Sequence, residues 1–248
     1  MNIIKKNIPN VLTALNFFCG CMAVYLAFKN LFEAAFFMVL LGTFFDLFDG
    51  FFARILKVDG DFGMQLDSMA DLITSGLVPG VVMYELFLKI GIREVIFEFP
   101  FLFNNITFSI APPALIGFLI PLAAAIRLSN FNIDTEQAYE FKGLPAPANA
   151  LFIVALPQLI AHPLFQNFKP YLFSFSGLVF ITFLSVFLMN VRLRLFSFKI
   201  TAPTLSAYTY QFILIFSSIP LFYFFQWVAV PLLIVLYLFL NVIRNRWG

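Results

Sequence analysis

Charge is scarce in this chain: 11% of its 248 residues are Asp, Glu, Lys or Arg. An average soluble domain carries about 25% charged residues, so this one has too few to cover a water-facing surface. Cysteine is almost absent. Cys19 and Cys21 lie two residues apart inside one apolar run, which excludes a disulfide framework and leaves the redox compartment open. The single histidine, His162, precedes Pro163 near the end of an apolar stretch and reads as interfacial rather than catalytic. A net charge of +2 makes no case for nucleic acid, and none is expected as a partner. There is no tandem repeat and no low-complexity linker.

What fills the chain instead is apolar: 62% hydrophobic residues, 37 of them Phe. Each bilayer crossing needs about 20 such residues. The expected fold is therefore an all-α, polytopic membrane bundle of about eight helices. Spans are read at 10–28, 32–56, 63–88, 109–130, 146–165, 171–190, 208–225 and 227–243, with Gln226-Trp227 as the last turn. Segment 90–108, rich in Phe but holding Glu94, Glu98, Asn104 and Asn105, is expected as a loop or interfacial helix. Lys5 and Lys6 ahead of an apolar run resemble a signal peptide, but no small-residue cleavage site follows, so the run is kept as the first helix. One membrane-embedded domain is expected over 1–248, with its motifs between 8 and 150 and none readable in 170–248.

Eight spans put both termini on one side. Eleven Lys and Arg residues then fall on that side (5, 6, 54, 57, 127, 142, 192, 194, 199, 244 and 246), against four on the other (29, 89, 93 and 169). The positive-inside rule makes the richer side cytoplasmic. Arg192, Arg194 and Lys199 read as anchors that snorkel to lipid phosphates.

Against this background, four acids stand out. Asp46 and Asp49 close one apolar run, while Asp67 and Asp71 open the next. As helix, positions 46, 49, 50 and 53 share one face, and positions 63, 67 and 71 share another. Two antiparallel helices joined by the Gly- and Asp-rich turn at 57–63 would gather all four carboxylates; Asp59 and Asp61 read as turn formers. Such a cluster cannot stay ionised near lipid without a cation. Oxygen-only donors point to a hard divalent ion, Mg²⁺ or Mn²⁺. Gly50 and Ala53 are small enough to admit a phosphate or another helix. Arg54 offers a guanidinium to a diphosphate or to the aspartates themselves. Pro9, Asn10 and Thr13 open the first span and read either as a helix cap or as part of the site.

The spacing D-x2-D-G-x2-A-R-x8-G-x3-D-x3-D resembles the signature of the CDP-alcohol phosphotransferases, membrane enzymes that replace the CMP of a CDP-lipid by an alcohol. The resemblance implies that Asp46, Asp49, Asp67 and Asp71 hold two divalent ions, with Asp71 also the general base. It places Asn10, Thr13, Gly50, Ala53, Arg54 and Gly63 beside the CDP-lipid. A second constellation, Arg127 to Asn132 with Phe141 to Pro147, resembles the branch that uses CDP-diacylglycerol and L-serine. A basic residue is common in that branch where Asn130 stands, so no role is carried to it. Arg127 and Lys142 are then candidates for the serine carboxylate or a lipid phosphate; ordinary anchoring is their other reading. Other alcohols (glycerol phosphate, inositol phosphate, choline) and an ion-coupled transporter are the alternatives. A homodimer in the cell membrane, its acidic cluster toward the cytoplasm, is what the resemblance and the charge balance imply.

Overall fold

Inside lipid every backbone N–H and C=O needs a partner within the chain, so apolar runs of this length fold as helices. The structure, a computed structural model, describes residues 3–58, 60–101, 104–133, 141–191, 194–195 and 209–247. Asp59, Arg192 and Lys199 lie outside the described residues. In chain order the helices are α1 (Ile3–Phe28), α2 (Phe32–Leu56), α3 (Asp61–Asp71), α4 (Val78–Lys89), α5 (Leu119–Ile133), α6 (Ala146–Ala161), α7 (Lys169–Leu172), α8 (Phe175–Asn190), α9 (Thr209–Phe225) and α10 (Ala229–Trp247). Strands β1 (Val95–Phe101) and β2 (Asn104–Ile110) pair antiparallel, as do the two-residue strands β3 (Phe141–Lys142) and β4 (Arg194–Leu195).

The chain is a multi-pass membrane protein. Five helical stretches are long and apolar enough to cross a membrane: Asn7–Phe28, Phe32–Leu56, Asp61–Lys89, Pro112–Ile133 and Thr209–Arg244. A sixth arises if Ala146–Ala161 and Pro163–Leu172, bent by 98°, form one broken span. The eight expected stretches are largely helical, but residues 109–110 belong to β2, 171–190 is broken between α7 and α8, and two stretches fall short in length. The 146–165 stretch stops at Ala161, because Pro163 cannot continue the helix. α8 has 16 residues, roughly 24 Å of helix, short of the ~30 Å hydrocarbon layer. Thr209–Arg244 divides at Gln226, whose φ is 50°, and α9 and α10 pack on one another across that turn.

α4 is largely apolar and sits at the centre, with Val78, Val82, Met83, Leu86 and Phe87 fully buried in one cluster with Ile153, Val154 and Leu156 of α6, and its one buried acid, Glu85, accepting a 3.1 Å hydrogen bond from Asn30 Nδ2. α1 packs beside it, and α2 runs antiparallel to α1 and packs on α6. Where they meet the next span, side chains are small. A Cβ on Gly42 would come within 2.8 Å of Asn16 Oδ1, and one on Gly20 within 2.5 Å of Thr74 Oγ1. Between α3 and α4 the helix widens into a π segment, Leu72–Leu77, that begins directly after Asp71. Such segments are often found at functional positions.

Two expectations are corrected here. Segment 90–108 is not a loop or a helix: most of it forms the β1–β2 hairpin, because Val95, Phe97, Phe99 and Phe101 alternate with period two. The first helix begins at Ile3 with Pro9 inside it, so Asn10 and Thr13 are not its cap.

Candidate functional site

Asp46, Asp49, Gly50 and Ala53 occupy the last turns of α2 because the helical period puts them on the side facing α1 and α3. The helix ends at Lys57, which adopts φ 52°, while the Val58 amide donates back to the Ala53 carbonyl at 3.1 Å. This left-handed stop reverses the chain within four residues, so α3 starts at Asp61 and carries Asp67 back alongside Asp46 and Asp49. One carboxylate oxygen from each of these three lies within 4.8 Å of the others. Asp49 is buried and the other two are half-buried. Asp67 Oδ1 is buried with no hydrogen-bond partner.

That orphaned acceptor, within an all-oxygen triad, fits a hard divalent cation. Among the described residues no Cys or His joins the triad. Asp71 lies one turn beyond it and accepts a 3.4 Å hydrogen bond from Asn16 Nδ2.

α1 supplies a polar stripe to this acidic corner. Thr13 Oγ1 donates to Asp49 Oδ2 at 2.6 Å and also lies 3.0 Å from the Pro9 carbonyl. Asn16 is fully buried; its own carbonyl accepts from Thr74 Oγ1 at 3.1 Å, which ties α1 to the π segment. A cleft of about 210 Å³ opens beside the triad, lined in part by Asn10, Thr13, Asp49, Gly50, Ala53, Gly63 and Asp67. Nothing approaches the Cβ position of Gly50 within 4 Å, whereas a Cβ on Gly63 would sit 3.3 Å from Asn10 Oδ1. Arg54 borders the site without pairing to it: its Nε donates to the Gly50 carbonyl at 2.9 Å and the side chain is exposed.

Arg127 comes from α5, within electrostatic reach of Asp71, and its Nε is buried without a hydrogen-bond partner. Asn132, further along α5, donates to Ser68 Oγ at 2.8 Å and holds α5 against α3. The backbone of Lys142 lies in the β3–β4 ladder, directly opposite Arg194. Next to it Gly143 has φ 81°, and a Cβ there would meet the Met189 and Val191 carbonyls at 2.7 and 2.8 Å. Only glycine fits at this point, where the loop lies against the end of α8.

Sequence reasoning missed Asn16 and the Asn132–Ser68 pair. A signal for Asn16 was available: Asn10, Thr13 and Asn16 recur every three residues along an otherwise apolar helix.

Comparison with known proteins agrees with this geometry. A CDP-alcohol phosphatidyltransferase family model matches residues 6–180. A CDP-diacylglycerol–serine O-phosphatidyltransferase from Bacillus subtilis is 34% identical over 154 residues, 60% of this chain and 74% of that protein. One of the same description from Helicobacter pylori is 31% identical, over 59% of this chain and 55% of its own length. An archaetidylserine synthase from Methanothermobacter thermautotrophicus is 32% identical with the same coverage. The matches thus span about half the length of the latter two relatives. With the acidic corner built from residues inside a match that covers well over half of its length, the chain belongs to the CDP-alcohol phosphatidyltransferase family.

Proposed function

We propose that this chain transfers the phosphatidyl group of CDP-diacylglycerol to the hydroxyl of L-serine, releasing CMP. The observation that carries the reading is the convergence of Asp46, Asp49 and Asp67 at the mouth of a cleft, with Asp71 a turn away. The relatives' names support serine as the acceptor: three proteins from bacterial and archaeal sources carry it in their names.

Asp46, Asp49 and Asp67, with Asp71 at the edge, would hold two hard divalent cations, Mg²⁺ or Mn²⁺, which when bound supply the positive charge that a diphosphate requires. The chain's own residues do the rest. Asn10, Thr13, Gly50, Ala53 and Gly63 line the cleft for the CDP moiety, where the small residues let a phosphate come close to the helix backbone. Arg54, exposed at the rim, is free to swing its terminal nitrogens toward the diphosphate. Asp71 takes the proton of the serine hydroxyl as the oxygen bonds to the lipid-side phosphorus and the bond from that phosphorus to CMP breaks. Asn16 holds Asp71 in place, and Thr13 does the same for Asp49. Arg127 presents a buried, unpartnered donor to the serine carboxylate or a phosphate, and Lys142 is the second candidate for that role. The excess of Lys and Arg at this end supports a cell membrane location with the cleft open to the cytoplasm.

The test is CMP release by the purified chain from CDP-diacylglycerol, with Mg²⁺ or Mn²⁺ and a panel of alcohols. Serine-dependent CMP release is expected; equal rates with glycerol phosphate, inositol phosphate or choline, or no release at all, would refute the assignment.

A further inference from the structure

Far from the acidic corner, between the outer end of α4 and the start of the next span, the β1–β2 hairpin divides into two unlike faces. Opposed residues of an antiparallel pair point to the same side. The register Val95↔Ile110, Phe97↔Phe108 and Phe99↔Ile106 therefore gathers six apolar residues on one face ahead of the Phe101↔Asn104 pair at the turn end, while Glu98↔Thr107, Pro100↔Asn105 and Ile96↔Ser109 fall on the other. The Phe97 and Phe108 rings stack with centroids 5.7 Å apart. Yet this face covers nothing: Val95, Phe97, Phe99, Ile106 and Phe108 are 43–59% exposed. Among the described residues no helix packs extensively on either strand. An isolated two-stranded hairpin is marginal in water, so something must cover these side chains.

We propose that the apolar face of this hairpin lies on the bilayer, seated in the interfacial layer of the leaflet opposite the acidic corner. Both its ends are tied to membrane-crossing helices. β1 begins six residues after Lys89, and β2 ends at Ile110, two residues before the span that starts at Pro112. The hairpin cannot leave the membrane boundary, and its exposed face continues the lipid-facing surface of those spans. Size decides against a second copy of the chain as the occupant. Seven-residue strands give a face roughly 23 Å long and ~10 Å wide, far below the ~800 Å² per partner of a stable protein interface. Aromatic rings toward lipid with Glu, Asn, Thr and Ser toward water is the arrangement that interfacial anchors adopt.

Site-directed spin labelling of the full chain in phosphatidylglycerol–phosphatidylethanolamine vesicles tests this. Single cysteines replace Phe97, Glu98, Ile106 and Thr107 in a chain carrying Cys19→Ala and Cys21→Ala. Labels at 97 and 106 are expected to collide with dissolved oxygen several-fold more than with a water-soluble nickel chelate, and labels at 98 and 107 the reverse. Using two adjacent pairs guards against one substitution disturbing the turn. Nickel access that is equal at all four positions would overturn the proposal. So would low access to both reagents at 97 and 106 with dipolar broadening between labels, which would mean a second copy.

Discussion

α1 and α9 are both apolar helices of one membrane bundle, yet they are built differently. α1 buries Thr13 and Asn16 against the carboxylates of α2 and α3, and its Gly20 lets the π segment come into contact. α9 buries no residue at all and packs chiefly on α10. Hydrophobicity places both in lipid. The buried polar groups of α1 demand particular partners, since an unpartnered polar group in a low-dielectric interior is costly. The contrast separates residues that keep a helix in the membrane from residues that give it a task.

The contrast can be broken most severely at Asp71. Asp71→Asn should cut turnover by about 10²–10⁴-fold, the usual contribution of a general base, while CDP-lipid binding persists; near-normal product formation would remove the base role. Next is Asn16→Leu, of similar volume and without the amide. It should lower kcat by about tenfold, ~1.4 kcal/mol on the barrier, with a smaller change in KM for CDP-lipid. An unchanged kcat would make Asn16 a packing residue only. Smaller again, Lys142→Ala should raise the KM for serine more than that for CDP-diacylglycerol; a serine KM that stays put would return Lys142 to the membrane anchors. The smallest effect is expected on α9. Phe216, 67% exposed, should tolerate Phe216→Leu with less than about 0.5 kcal/mol of stability lost and normal turnover, measured by thermal inactivation and CMP release.

Much of the acidic corner was legible because it depends on local periodicity. Spacings of three and four residues put Asp46 with Asp49, and Asp67 with Asp71, on shared helical faces, and the short turn left one way to bring the pairs together. Arg127 carried two readings from sequence, and no spacing could show that its Nε is buried. What resisted reading depends on distant pairing. Asn16 meets Asp71 across 55 residues of chain, and no local pattern fixes that contact. The hairpin was hidden for another reason: Ile96 and Pro100 fall on its polar face, so alternation of apolar and polar residues is blurred along β1. The opposition of Lys142 and Arg194 brings a residue from the motif-free C-terminal part to the segment that follows α5, which no spacing within either segment announces.

The claim beneath all of this is that Asp46, Asp49 and Asp67 together hold divalent metal. Its most direct test is Mn²⁺ binding to the purified chain in lipid nanodiscs, followed by the loss of the free-ion electron paramagnetic resonance signal. The intact chain should take up Mn²⁺, Asp67→Asn should lose most of that uptake, and Glu98→Gln on the hairpin should leave it unchanged. Equal uptake by the Asp67→Asn and intact chains would contradict the account.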